Sequence, residues 1–202
     1  MVELFINGGN FMWPILAIFI VGLVFVGERL MHLTASSKWG EDFASEVTNT
    51  LASAGALESQ SMCEKGQGPI ANLLLVGLNN IKKGVDGVEK AIDSRANVEM
   101  SSLEKNMTWI ALCIATAPML GFLGTVWGMV SAFDAIAAAD NISAKIVAEG
   151  ISQALLTTAF GLVVAVILQV LQNTVLYIID NKVISIQKSV NLFLSSVEKL
   201  KK

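Results

Sequence analysis

Thr125, Gln153, Thr157 and Thr158 are the side chains of this 202-residue chain best suited to handle a charged species in apolar surroundings. The last three lie in EGISQALLTTAFGL, residues 149–162, at the head of a stretch, Gly150 to Ile179, that holds no Asp, Glu, Lys or Arg. Hydroxyls and a carboxamide donate and accept hydrogen bonds without titrating near neutral pH. They can solvate an ion, or they can bond helix carbonyls and hold helices together. A carboxylate, the group a self-sufficient proton carrier in a membrane uses, is missing from the stretch. Glu149, one turn before Gln153, reads either as a mouth residue or as an ordinary surface carboxylate. No nucleophile–base set, phosphate loop or cofactor motif accompanies these residues, so neither an enzyme nor a cofactor is expected.

Such residues need long apolar helices to position them, and the composition supplies them. Hydrophobic residues make up 53% of the chain and charged residues 15%, with a mean hydropathy of +0.62. A soluble domain carries about a quarter charged residues. The apolar residues are clustered, which points to an integral membrane protein in a lipid bilayer. A net charge of −3 gives no reason to expect nucleic acid. Cys63 and Cys113 form no CxxC pair, and His32 has no Cys or His nearby, so no disulfide or metal site is expected.

The pattern predicts an all-α chain with three transmembrane helices. After an outer N-terminus, 1–10, the first span covers 11–27, with Pro14 in its first turn and Glu28 and Arg29 at its end. It lacks the basic region and cleavage site of a signal peptide and reads as a retained anchor. The second span covers 107–133, uncharged from Trp109 and closed by Asp134. A short outer loop, 134–149, leads to the third span, 150–174. The helix then continues through 175–202, where Leu176, Ile179, Val183, Ile186, Val190, Phe193, Val197 and Leu200 form a heptad seam for packing on another helix. Basic residues set the orientation: Arg29, Lys38, Arg95 and Lys105 flank the first two spans on one side. Lys182, Lys188, Lys199, Lys201 and Lys202 follow the third, whereas 1–10 has no Lys or Arg and 134–149 only Lys145. This places the N-terminus outside and the C-terminus in the cytoplasm.

Residues 28–106 then form a cytoplasmic helical domain. PIANLLLVGLNNIKKG and VDGVEKAIDSRANVEMSSLEKNMTWI have apolar residues at helical spacing, Gly84 is a stop between them, and the second helix runs into the second span. ASAGALESQSMCEKGQGP reads as a loop.

Within the second span, Ala117, Gly121, Gly124, Gly128, Ser131 and Ala135 recur at steps of three or four, with Pro118 as a candidate kink. Gly150, Ala154, Thr157, Gly161 and Ala165 repeat the device in the third. Small stripes let helix backbones approach closely. Thr125 and Thr158 lie on the flanks of the two stripes. Thr157, one turn beyond Gln153, is placed to bond it.

The ordered motifs APMLGFLGTVWGMVSAF and GISQALLTTAFGLVVAV resemble the signature helices of the ExbB/TolQ/MotA proton-channel family, most closely its ExbB/TolQ branch. The resemblance covers nearly the whole chain. It implies a homopentamer in the bacterial inner membrane, N-terminus periplasmic, around the helices of a single-span ExbD/TolR-like subunit. That subunit supplies the proton-carrying aspartate and passes work to the periplasm or outer membrane, with a TonB/TolA-like periplasm-spanning protein as a further partner. The translocated ion is H⁺, with Na⁺ left open. Thr125 and Thr158 match the family's pore threonines. Gln153 stands where many ExbB and TolQ proteins have glutamate, so a relay through that position is in doubt here. Two alternatives remain open: a flagellar-type stator, disfavoured by three spans in place of the usual four, and a membrane scaffold whose stripes only assemble helices.

Overall fold

A computed structural model describes residues 2–35, 40–66, 68–138 and 144–200. The described residues are helical, with no strand among them: α1 (Val2–Asn7), α2 (Met12–Ala35), α3 (Glu41–Ser53), α4 (Ala56–Lys65), α5 (Pro69–Asn79), α6 (Val85–Leu103), α7 (Met107–Ala138) and α8 (Ala144–Leu200). Three of the helical stretches are long and apolar enough to cross a membrane. They are Met12–Thr34, Val85–Ala138, which takes in α6 and α7, and Val147–Lys199, and each overlaps one of the three uncharged runs. Lys38, Lys201 and Lys202, counted above for orientation, lie outside the described residues, as does the Leu200 side chain of the seam.

The chain forms two compact units, one of residues 1–28 and 106–174 and the other of 29–105 and 175–202. In the first unit, Ile15 of α2, Cys113 and Ala117 of α7, and Val164 and Leu168 of α8 make a buried cluster. Gly22 lies against Leu168, leaving 2.7 Å between an added Cβ and the leucine Cδ1. Phe5 of α1 packs edge-on against Trp13, centroids 5.3 Å apart, and against Phe160 at 6.5 Å. The N-terminus is thus a short helix docked on α2 and α8. Outward-facing Trp109, Phe122, Trp127, Val166 and Val170 are exposed, as lipid-facing side chains of a membrane protein are.

The second unit buries Phe43, Val47 and Leu51 of α3, Leu73, Leu74 and Leu78 of α5, Val88 and Ile92 of α6, and Ile186, Phe193 and Val197 of α8. Glu99 is a buried carboxylate held by Arg95 Nη2 at 2.7 Å and by the Asn72 amide at 3.0 Å. Arg29 is buried and donates from Nη1 to the Ser102 carbonyl at 3.3 Å. Two of the charges read as orientation signals are therefore also structural ties.

Several expectations change. ASAGALESQSMCEKGQGP contains a helix, α4, where a loop is predicted. Its inward face consists of Ser59 and Cys63, residues that give no hydrophobic periodicity. Ser59 Oγ donates to Gly55 O at 3.1 Å and reaches Val47 O of α3 at 3.5 Å. Burial pushes the Cys63 thiol up to about 11. The helix expected to run into the second span breaks between Leu103 and Met107. Asn106 there has φ 65°, a left-handed conformation that asparagine adopts more readily than most residues. Its Nδ2 donates to Glu28 Oε2 at 2.7 Å. The helices run on past the charges that bound the apolar runs, α2 past Glu28 and Arg29 to Ala35 and α7 past Asp134 to Ala138, because a charge ends an apolar run without ending a helix. In the tail seam Val175 is buried and Leu176 is exposed. Gly84 does act as a stop, with φ 80° between a 3-10 turn and α6, and α7 continues through Pro118.

Gly77 of α5 is a tight notch in the core of the second unit: an added Cβ meets Phe193 Cε1 at 2.6 Å and Ile92 Cδ1 at 2.9 Å. Overpacking of this kind costs about 1–3 kcal/mol. Gly77→Val is expected to lower the thermal midpoint of the detergent-solubilised protein by several degrees, read by circular dichroism, while Gly40→Val, with open space around its Cα, leaves it nearly unchanged.

Candidate functional site: a hydroxyl cluster in the α7–α8 seam

The site begins with the absence of side chains. Gly121, Gly124 and Gly128 of α7 face Thr157, Thr158 and Ala154 of α8, and Gly161 faces Ala117. A Cβ on Gly161 meets the Ala117 carbonyl oxygen at 2.6 Å, and one on Gly121 meets the Thr157 carbonyl oxygen at 3.0 Å. The backbones therefore approach to a distance that only glycine permits at Gly161. Ala117, Ala154 and Ala165 are buried along the same seam.

That approach brings the carbonyls of one helix within reach of hydroxyls on the other. Thr125 Oγ1 lies 3.2 Å from Gly121 O on its own helix and 3.1 Å from Ala154 O on α8. Thr158 Oγ1 lies 3.1 Å from Gly121 O. The Thr125 and Thr158 hydroxyls are also hydrogen-bonded to each other. A hydroxyl has one proton to donate and two lone pairs. Thr158 can donate to Thr125 and Thr125 to Ala154 O, or Thr125 can donate to Thr158 and Thr158 to Gly121 O. Both directions satisfy the pair. Both residues are half-buried on the flank of the seam, so a lone pair or proton can be presented to a polar group beside them.

Thr157 is placed differently from the expectation of a partner-facing residue. It is 1% exposed, sits in the notch of Gly124 with 2.7 Å from an added Cβ to its Oγ1, and donates to Ala154 O at 2.8 Å. Its hydroxyl is turned to the Ala154 and Gly121 carbonyls, the acceptors that line the enclosed notch, and it does not bond Gln153. Gln153 is half-buried and its amide nitrogen abuts Gly9 in the turn between α1 and α2. Gly9 has φ 72°, so any side chain there is strained as well as crowded. Beside Gln153, a polar concavity of about 510 Å³ is lined by Asn7, Lys145, Glu149 and Ser152. Glu149 pairs with Lys145 at 3.9 Å, both exposed. Gln153 is thus apart from the threonine pair, toward the start of the helix.

The predicted stripes are corrected at one end. Ser131 and Ala135 are exposed, and Ala132 is buried in their place, facing Gly150. Helices that cross at an angle do not keep one stripe in contact along their length, so the contact track moves around α7 toward the residue that Gly150 can accommodate. Nothing in the spacing alone gives that crossing. Among the described residues no group of three His, Cys, Asp or Glu is arranged to hold a metal.

The sequence model of the MotA/TolQ/ExbB proton channel family matches residues 65–188, more than half of the chain and all of the hydroxyl cluster. The chain belongs to that family. A biopolymer transport protein ExbB homolog of Methanothermobacter thermautotrophicus is 31% identical over 186 residues, covering 92% of this chain and 66% of the relative. TolQ of the Tol-Pal system of Haemophilus influenzae is 37% identical over 82 residues, 41% of this chain and 36% of the relative. Biopolymer transport protein ExbB of Xanthomonas campestris is 40% identical over 79 residues, 39% of this chain and 31% of the relative. The chain is thus a membrane protein of a proton-channel family, not of an enzyme family, and it spans less than two thirds of the length of these relatives.

Gly161→Ala places a methyl group against a backbone oxygen that cannot turn aside. It is expected to separate α7 from α8, lowering the folded yield and midpoint in detergent by the equivalent of about 1–3 kcal/mol. Gly27→Ala, where nothing lies within 4 Å of the added Cβ, is expected to match the parent in the same melt.

Proposed function

We propose that this chain is the channel-forming subunit of a proton-motive-force-driven motor of the ExbB/TolQ type in the inner membrane, with its N-terminus on the periplasmic side. The observation that carries the reading is the Thr125–Thr158 hydroxyl pair, held by glycine-notched helices in apolar stretches free of carboxylates. Such a pair can bond a proton-bearing group and reverse its own direction, but it cannot hold the proton. The titrating group therefore comes from elsewhere: an aspartate on the single span of an ExbD/TolR-like partner, enclosed by a homopentamer of this chain. Protonation and release of that aspartate shift the partner's helix against the threonines. The motion reaches the periplasm or outer membrane through the partner, and through a TonB/TolA-like protein where one is present. The ion is H⁺, with Na⁺ as the variant to be tested by substitution of the bath cation.

A scaffold without an ion path is the second reading. It is favoured by one observation, that both hydroxyls also reach helix carbonyls. Thr158→Val keeps the shape and removes the hydroxyl, which separates the two. Loss of a hydrogen bond to a charged group costs about 1.5–3 kcal/mol, which slows passage by about ten- to a hundredfold. Proton flux in vesicles containing the assembled complex is expected to fall by that factor with oligomeric size unchanged. Parental flux would establish the scaffold reading instead. Gln153→Glu, by contrast, adds a titrating group beside Gly9 and away from the threonine pair, and is expected to leave the pH dependence of the flux unaltered.

A further inference from the structure

The third span carries polar side chains that the hydroxyl cluster does not use. Gln169 Nε2 donates to Asn173 Oδ1 at 3.1 Å and to Gln172 Oε1 at 3.5 Å, on the outer surface of α8. Gln169 and Asn173 are exposed and Gln172 is half-buried. Each amide offers two donors and an acceptor with two lone pairs. The Gln169 carbonyl and the amino groups of Gln172 and Asn173 have no partner among the described residues. They demand one that lipid cannot give.

Their depth is fixed by contacts within the first unit. Gly9 abuts Gln153 and Gly22 abuts Leu168, so the first span and α8 run side by side in the same direction. Gln169, Gln172 and Asn173 then stand level with the turns between Gly22 and Glu28, inside the charge-free layer and short of its end. Their direction is fixed by the helix. At about 100° per residue, Gln169, Gln172 and Asn173 all fall within about 60° of Thr158, while Val170 and Ile167 fall about 120° and 180° away. Val170 and Ile167 are exposed apolar residues. The surface of α8 at this depth is therefore divided into an apolar side and an amide side, and the amide side continues the flank that bears Thr158. Leu162 and Ala165 separate the two polar levels on that flank, over about 16 Å at 1.5 Å per residue.

We propose that Gln169, Gln172 and Asn173 line a hydrated mouth of the ion path, at the end of the membrane layer marked by Glu28. This rests on the channel reading above and extends it. The threonine pair is the dry contact for the titrating group. The amide ladder is where water meets the ion after that contact, its unpaired donors and acceptor supplying the hydration that Leu162 and Ala165 do not. A neutral amide set suits this role because it bonds a hydrated cation without trapping it as a carboxylate would.

The test uses single cysteines in the full-length complex in native membranes, with Cys63→Ser and Cys113→Ala as background. Gln169→Cys and Gln172→Cys are expected to react with a small charged methanethiosulfonate at least about tenfold faster than Val170→Cys and Ile167→Cys, since the thiolate forms and is reached only in water. Equal rates at all four positions, or a disulfide between copies through Gln169→Cys, would place the ladder against lipid or a second copy and overturn the proposal. In a second arm, the Gln169→Leu, Gln172→Leu double variant is expected to lower proton flux severalfold at unchanged assembly, and parental flux would equally overturn it. Thiol rates report water on this face whether or not protons are carried. A reactive Gln169→Cys combined with parental flux in Thr158→Val would therefore contradict the channel reading while leaving the watery face in place.

Discussion

The structure of the first unit depends on the approach of the α7 and α8 backbones at Gly121 and Gly161. Lipid gives two apolar helices no hydrophobic reason to associate, so close van der Waals contact and interhelical hydrogen bonds must hold them. Both come from one source. Glycine lets the Ala117 and Thr157 carbonyls lie against the opposing helix. The same closeness brings Thr125 within 3.1 Å of Ala154 O and Thr158 within 3.1 Å of Gly121 O. A methyl group in the notch widens the gap, and the hydroxyls then lose their partners across it.

Function follows from what this contact leaves over. Thr157 is consumed by the seam, enclosed and bonded to carbonyls. Thr125 and Thr158, on the seam's flank, bond each other and retain a choice of direction. The polar side of α8 then resumes at Gln169. Under the proposed function, a path assembled this way handles protons only in company with a chain that brings an acid. A protein of the MotA/TolQ/ExbB family without a carboxylate in these spans is consistent with that division of labour.

Much of this was legible in the sequence, for a physical reason. Glycine and threonine at steps of three and four have few uses in an uncharged helix, so the stripes, the flanking positions of Thr125 and Thr158, and the continuous helix from span to tail could be read from spacing. Features set by tertiary contact could not. The burial of Ala132 in place of Ser131 depends on how α8 crosses α7. Helix α4 hides its inward face behind Ser59 and Cys63, and the break before α7 depends on Asn106 finding Glu28. Gln153 stands out in the sequence as a polar residue in an uncharged run, but only the turn at Gly9 gives its surroundings.

The central claim is that the two flank hydroxyls act as one unit. A double-mutant cycle on proton flux tests it, with Thr125→Val, Thr158→Val and the pair compared in complexes of equal size. If the hydroxyls work only as a bonded pair, removing the second costs little once the first is gone, and the double variant conducts within about twofold of the poorer single variant. Losses that multiply would show two independent groups and contradict the account.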